Sequence, residues 1–308
     1  MMIVWAAVGL QVLTGAEVTG DGDSERVQLV MPRLRLAYDE RLALVEVEAI
    51  RSISSGSLFG VAGDSQLIRL RRAEVRFGET DRWMVRAGLV RIPWLEVSNV
   101  AWTSSDSQPH GWVEYELMDA TDLGVSFEGC TAYRLCGHIA AVAGEGAHQR
   151  ELNDSPSVHG ATTFERHSLL LSLGAVYGMR GVSRARDHRA MALATWKAPR
   201  YSAFASWIEG WGRGDDGSVR WGLTEVGGST SFGVYTVAAR LRYTDLSRQL
   251  ADRWQFVSSL QLERQVRGPL AARIWLDQRQ RGAASEQADL GQWRWRAGAG
   301  LSFRRQPS

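Results

Sequence analysis

Between residues 66 and 97 the chain alternates between apolar and polar positions. Trp83, Val85, Ala87 and Leu89 take one parity, and Arg82, Met84, Arg86 and Gly88 take the other. Just upstream, Ala73, Val75 and Phe77 oppose Arg72, Glu74 and Arg76. A period of two means β-strands with one apolar and one polar face. The pattern recurs to the C-terminus. Tyr235, Val237, Ala239, Leu241 and Tyr243 alternate with Thr236, Ala238, Arg240 and Arg242. Leu270, Ala272, Ile274 and Leu276 alternate with Ala271, Arg273, Trp275 and Asp277, and Trp293, Trp295, Ala297 and Ala299 with Arg294, Arg296 and Gly298.

Read this way, the chain holds fourteen candidate strands: 27–38, 41–51, 66–77, 82–90, 121–130, 135–145, 166–178, 186–197, 201–212, 219–227, 234–244, 253–265, 270–281 and 292–304. Most are ten residues or more, whereas strands of soluble proteins run to about 5–6 residues and a tilted strand crossing a bilayer needs about 9–11. Several begin or end their apolar face on Trp, Tyr or Phe, as the aromatic girdles of a membrane barrel do. A soluble β-sandwich also alternates, but it does not call for long strands with aromatic ends. The expected fold is all-β: a transmembrane antiparallel β-barrel of about fourteen strands, within a range of about twelve to sixteen. Two segments resist the pattern. Strands 186–197 and 201–212 choose no face, and the order of short and long connections reverses near residues 146–164. One strand there is missed or wrongly split.

The arginines decide which face is which. On the lipid side each costs roughly 2–4 kcal/mol at the midplane, so they belong on a watered inner wall. The pore-lining candidates are Arg72, Glu74, Arg76, Arg82, Arg86, Arg240, Arg242, Arg273, Arg294 and Arg296. There guanidinium groups attract anions and grip phosphate or carboxylate at two points. Glu46, Glu48, Glu74, Asp122, Glu128, Glu263 and Asp277 share that parity, so pairing within the wall is the competing reading. Long connections fall at 52–65, 92–120 and 146–165. The second is the most aromatic, and Arg91, Trp94, Glu96, Trp102 and Trp112 are its constriction candidates. Two readings of it stand: a segment folded into the pore, or an outer cap packed on its own aromatics.

Composition narrows the functions. A formal net charge of +2 offers no strong field for nucleic acid. After the N-terminus no run of about 18 apolar residues exists, which excludes a helical membrane protein. Residues 1–16 read as a secretory leader cleaved after Ala16, which leaves residues 17–308 as a single barrel domain. Cys130 and Cys136 are the only cysteines and flank Tyr133 symmetrically. Export would permit a disulfide between them; two free thiols is the other reading. The six histidines are scattered. His138 near Ser126, or His110 with Asp106, can be drawn into a hydrolase scheme, but nothing fixes a nucleophile–base geometry. No phosphate-binding Gly loop, dinucleotide fingerprint or metal-ligand spacing occurs, so neither cofactor nor metal is expected.

The run RAGLVRIPWLEVSN from Arg86 to Asn99, preceded by LRRAEVRFG from Leu70 to Gly78, resembles the phosphate-selective porins of the O and P type. ATDLGVSFEG, AAVAGEG and GVYTVAARLRYTDL look like further strands of that family. The resemblance implies an outer-membrane β-barrel channel, often a homotrimer, that passes small anions by diffusion. Arg91 and Trp94 stand where Lys and Phe are usual in the family, and Lys197 is the only lysine, so phosphate specificity is not carried over. The expected function is passive diffusion of small solutes across the outer membrane, with outer-membrane lipid and small anionic solutes as partners and no enzyme activity. The alternatives are a closed structural or adhesive barrel and, further off, a barrel hydrolase.

Overall fold

The computed structural model describes residues 7–20, 25–39, 43–52, 65–79, 82–94, 121–131, 134–143, 156–180, 184–213, 216–248, 254–268, 270–281 and 295–305. The strands, in chain order, are β1 (Ala7–Gly20), β2 (Glu25–Asp39), β3 (Ala43–Ser52), β4 (Ser65–Glu79), β5 (Trp83–Arg91), β6 (Thr121–Cys130), β7 (Leu135–Val142), β8 (Ser157–Arg166) and β9 (Leu169–Tyr177). They continue with β10 (Met179–Arg180), β11 (Ala185–Arg186), β12 (His188–Lys197), β13 (Tyr201–Arg213), β14 (Asp216–Phe232), β15 (Tyr235–Asp245), β16 (Trp254–Arg267), β17 (Leu270–Arg281) and β18 (Trp295–Arg305). Among the described residues sixteen strands close one barrel, each antiparallel to its neighbours in chain order, with β1 paired to both β2 and β18. The short β10–β11 hairpin stands apart.

Sixteen is the top of the expected range, and the two added strands are identifiable. β8 lies inside the stretch read as the loop 146–165, where the order of connections had reversed. Its outer face, Val158–Gly160–Thr162–Phe164, is interrupted by a glycine and a threonine, which hides the alternation. β1 is the other. Residues 7–20 pair into the barrel wall: Val12 with Leu34 and Phe303, and Ala16 with Leu29 and Ala299. Cutting after Ala16 would leave four residues of β1. An apolar run of this length suits a leader and a lipid-facing strand equally.

The barrel strands run from eight to seventeen residues, long enough for a tilted crossing. The connections after β2, β4, β6, β8, β12, β14 and β16 have two to four residues and lie at one end. The long ones, after β3, β5, β7 and β17, lie at the other. Outer-membrane barrels have short periplasmic turns and long extracellular loops, which orients the chain. Its outside is apolar and its inside charged. Phe77, Leu123, Leu173, Leu260 and Ile274 are exposed, while Arg72, Glu74, Arg242 and Asp277 are buried. Exposed Trp83, Phe127, Phe164, Trp196, Tyr201 and Phe232 ring the turn end, and Tyr177 and Tyr243 mark the loop end.

The ladder of β13 with β14 shifts register between Trp211 and Arg213. Gly212 sits there at φ +96°, and a Cβ on it would run into the Arg186 carbonyl oxygen. Only glycine fits this bulge under the β10–β11 hairpin.

Candidate functional site in the barrel lumen

The first half of the inner wall is a mesh of ion pairs. On β4, Arg72, Glu74 and Arg76 share the inner face, and on β5 Arg86 stands directly opposite Arg76. Two opposed arginines repel unless an anion lies between them. Glu74 is that anion. Its carboxylate meets Arg72 at 2.9 Å, Arg76 at 2.8 Å and Arg86 at 3.7 Å, and its side chain is 0 % exposed. Gly88, in register with Glu74, has φ +121°, and a Cβ there would lie 2.3 Å from the Ala73 carbonyl oxygen. Arg86 also reaches Glu128 on β6 at 2.6 Å, and Arg91 reaches Glu46 on β3 at 3.8 Å. Along β3–β6 the described inner face thus carries Arg72, Arg76, Arg86 and Arg91 against Glu46, Glu74, Asp122 and Glu128. The charges balance, but the layers do not: Glu74 lies beneath its arginines, and Arg76 and Arg86 keep part of their surface open.

A second charged wall runs over β14–β17. Arg242 donates to Glu225 at 2.6 Å, with Arg240 at 3.8 Å from the same carboxylate. Arg273 pairs with Glu263. Asp277 and Arg279 complete this face, and all of these but Glu263 are buried. Here four arginines meet three carboxylates.

Between the two walls the inner face of β9 and β12–β14 is largely apolar, bordered by the Arg189–Asp187 pair and by Glu225. Val176, Met191, Leu193, Phe204, Ile208, Trp221 and Leu223 form one buried cluster, joined by Ile92 and Trp94 from the segment that follows β5. Three strands, β6, β7 and β8, separate β5 from β9 in the barrel. The chain after β5 therefore folds inward and lies against the far wall. Gly174 marks the contact: a Cβ there would stand 2.9 Å from a ring carbon of Trp94 and 3.1 Å from the Met191 methyl. This placement covers Ile92–Trp94 alone; Glu96, Trp102 and Trp112 lie outside the described residues.

Among the arginines expected to line the pore, Arg72, Arg76, Arg86, Arg240, Arg242 and Arg273 point inward. Arg82 does not line it. It keeps the parity but lies in the β4–β5 turn, donates its backbone N–H to the Glu79 carbonyl at 3.0 Å, and is 80 % exposed beside Glu79. Parity fixes a face only inside a strand, and β5 starts one residue later. Arg294 lies outside the described residues; Arg296 has its backbone in β18 and its side chain outside them. The parity count had not singled out Arg189 with Asp187 (2.7 Å), Glu225 or Arg279. Glu225 follows the apolar Trp221 and Leu223 on one face, so its strand showed no polar wall. Cys130 and Cys136 are in register across the β6–β7 turn and disulfide-bonded, with Cα atoms 4.0 Å apart.

No family model matches this sequence, and a search of curated proteins found no match. Solved structures do resemble it. The anion-selective porin from Comamonas acidovorans superposes with a TM-score of 0.66 at 14 % identity, over 98 % of this chain and 99 % of that one. The outer membrane channel DcaP of Acinetobacter baumannii gives 0.69 at 12 % identity, over 97 % of both chains. OmpT of Vibrio cholerae, an outer membrane protein folded in vitro in its trimer form, gives 0.66 at 8 % identity over 98 % and 99 %. The chain has the fold of an outer-membrane porin barrel. Identities this low carry the fold alone. With its apolar outer band and aromatic ends, the chain is an outer-membrane β-barrel.

Proposed function

We propose that this barrel is a passive channel for small solutes with a preference for anions. The carrying observation is the layering at Glu74: the carboxylate is fully buried and the guanidinium groups of Arg76 and Arg86 lie above it, so a passing solute meets positive charge first. Sixteen-stranded barrels are wide enough to leave an aqueous channel. The segment that folds inward after β5 narrows it. The β14–β17 wall, with one arginine more than its carboxylates, adds to the same preference. By analogy with the trimer form of OmpT, the barrel works as a homotrimer. The phosphate-selective type that the strand motifs resemble is one member of this class; nothing in the wall singles out phosphate over other small anions.

The test is conductance in a planar bilayer, with the reversal potential read in a potassium chloride gradient. The wild type should show single-channel steps and favour chloride. One charge about 7 Å from the ion path in water is worth about 0.6 kcal/mol, so Arg76→Gln should lower the chloride preference roughly threefold. A cation-selective pore would overturn the proposal. A second reading, a closed structural barrel, draws on the burial of Arg242, Gln255 and Asp277 on the inner wall. Absence of single-channel steps from correctly folded protein would favour it. The hydrolase scheme has less to stand on. Ser126 and His138 share the buried inner face, and Glu128, in register with His138, is held by Arg86. Wall packing accounts for that arrangement.

A further inference from the structure

The lipid-facing side of β9 and β12–β14 carries a feature that a channel does not need. Most of the outer band is a hedge of large side chains. Here it is floored by Ala192, Ala194 and Ala205, with Leu135 and Phe164 at one end and Trp207 and Thr224 at the other. The result is an apolar groove of ≈ 620 Å³ running across the strands. One step beyond Trp207 and Thr224, toward the loop end, the same outer face turns ionic. Glu209 is in register with Gly222, and its carboxylate holds Arg220 at 2.7 Å and Arg248 at 2.6 Å.

This pair of arginines is built rather than incidental. Glu209 has only 3 % of its side chain exposed, while Arg220 and Arg248 stay 49 % and 42 % exposed. The backbone N–H of Arg248 donates to the Arg220 carbonyl at 2.8 Å. The Arg248 guanidinium lies over Gly222, where a Cβ would come within 2.5 Å of it. Arg220 sits over the Trp211 ring at 5.6 Å. Asp245, in register with Gly222, accepts from the backbone N–H of Ser247 at 3.2 Å and fixes the turn that carries Arg248. Arg186 is exposed beside the start of β14. Among the described residues, Arg186, Arg220 and Arg248 stand against Glu209 and Asp245.

We propose that groove and arginine pair together form a site for a phosphate-bearing, anionic lipid of the leaflet at the loop end. An acyl chain lies on the alanine floor, and the phosphate sits on Arg220 and Arg248 at the level where Tyr243 and Trp211 mark the membrane interface. The charge chooses the occupant. A zwitterionic lipid brings a phosphate too, but its ammonium group sets a positive charge beside the two half-open guanidinium groups; an anionic lipid brings the phosphate alone. A second copy of the chain would bring its own apolar band against the groove and leave the arginines at its edge.

The test uses the full chain reconstituted in phosphatidylcholine vesicles with admixed phosphatidylglycerol, then released in mild detergent and weighed by native mass spectrometry. The wild type should retain phosphatidylglycerol over phosphatidylcholine on the order of tenfold, as one charge-assisted hydrogen bond implies. The Arg220→Gln, Arg248→Gln double variant should lose that preference. Ala194→Phe fills the groove from the lipid side, leaves the arginines and the lumen untouched, and should lower retention of the bound lipid by a similar factor. Equal retention of both lipids by the wild type would overturn the proposal. So would a groove-filled variant that retains as much as the wild type, because the headgroup alone would then suffice. Variants that change the oligomer mass while lipid retention stays constant would make the face a contact between copies, and would overturn it as well.

Discussion

Two stretches of inner wall face one lumen and are built oppositely. Over β3–β6 the wall is ionic, with Glu74 under three arginines. Over β9 and β12–β14 it is apolar, with Trp94 laid across Gly174. The difference lies in what each wall touches. The ionic wall meets water, and Arg76 and Arg86 keep part of their surface open above the buried Glu74. The apolar wall meets the chain's own segment after β5 and is as dry as a soluble core. The lumen of this barrel is therefore not one environment: where the chain folds back on itself the wall follows core rules, and elsewhere it follows surface rules.

The sharpest way to break the comparison is Trp94→Ala. It strikes the apolar wall alone and should cost about 3–5 kcal/mol through the cavity it leaves. Denaturant midpoints should fall and single-channel conductance should rise, with ion preference unchanged. A shift in reversal potential instead would mean the two walls are coupled. Glu74→Gln strikes the ionic wall alone and keeps its shape. Arg72, Arg76 and Arg86 then lose their common anion, with Arg86 keeping Glu128, a loss of about 3 kcal/mol, at the lower end for a broken buried pair. Stability should fall, and chloride preference should rise. If preference is unchanged, Glu74 is not what screens these arginines.

Reducing the Cys130–Cys136 bridge touches neither wall. The small loop it closes is worth about 2 kcal/mol by chain entropy. Midpoints should drop modestly with conductance and ion preference intact; a change in either would tie the turn to the pore. Arg82→Gln is the smallest change. An exposed pair such as Arg82 with Glu79 contributes about 0.5 kcal/mol. Neither stability nor reversal potential should move measurably, and a selectivity loss like that expected of Arg76→Gln would put Arg82 back on the wall.

The same contrast explains what could be read from the residues. β4, β5, β15 and β17 alternate cleanly because lipid lies on one side and water on the other, and period two records that difference. Arg72, Arg76, Arg86, Arg240, Arg242 and Arg273 were legible for this reason. Strands β12 and β13 were not, because both of their faces are apolar: Ala192 and Trp207 face lipid while Leu193 and Ile208 face Trp94. The failure to choose a face was itself the trace of a buried inner wall. β8 was lost for a similar reason, since Gly160 and Thr162 break its lipid face.

By itself, then, the sequence determined the class of fold, which face of most strands meets lipid, and the inward place of the arginines. Those follow from local alternation and from the cost of charge in hydrocarbon, and both are visible residue by residue. Tertiary structure alone decided that Glu74 lies beneath its arginines rather than above them, and that the segment after β5 crosses to Gly174. Each depends on which strands become neighbours around the closed barrel, and parity along a single strand carries no record of that.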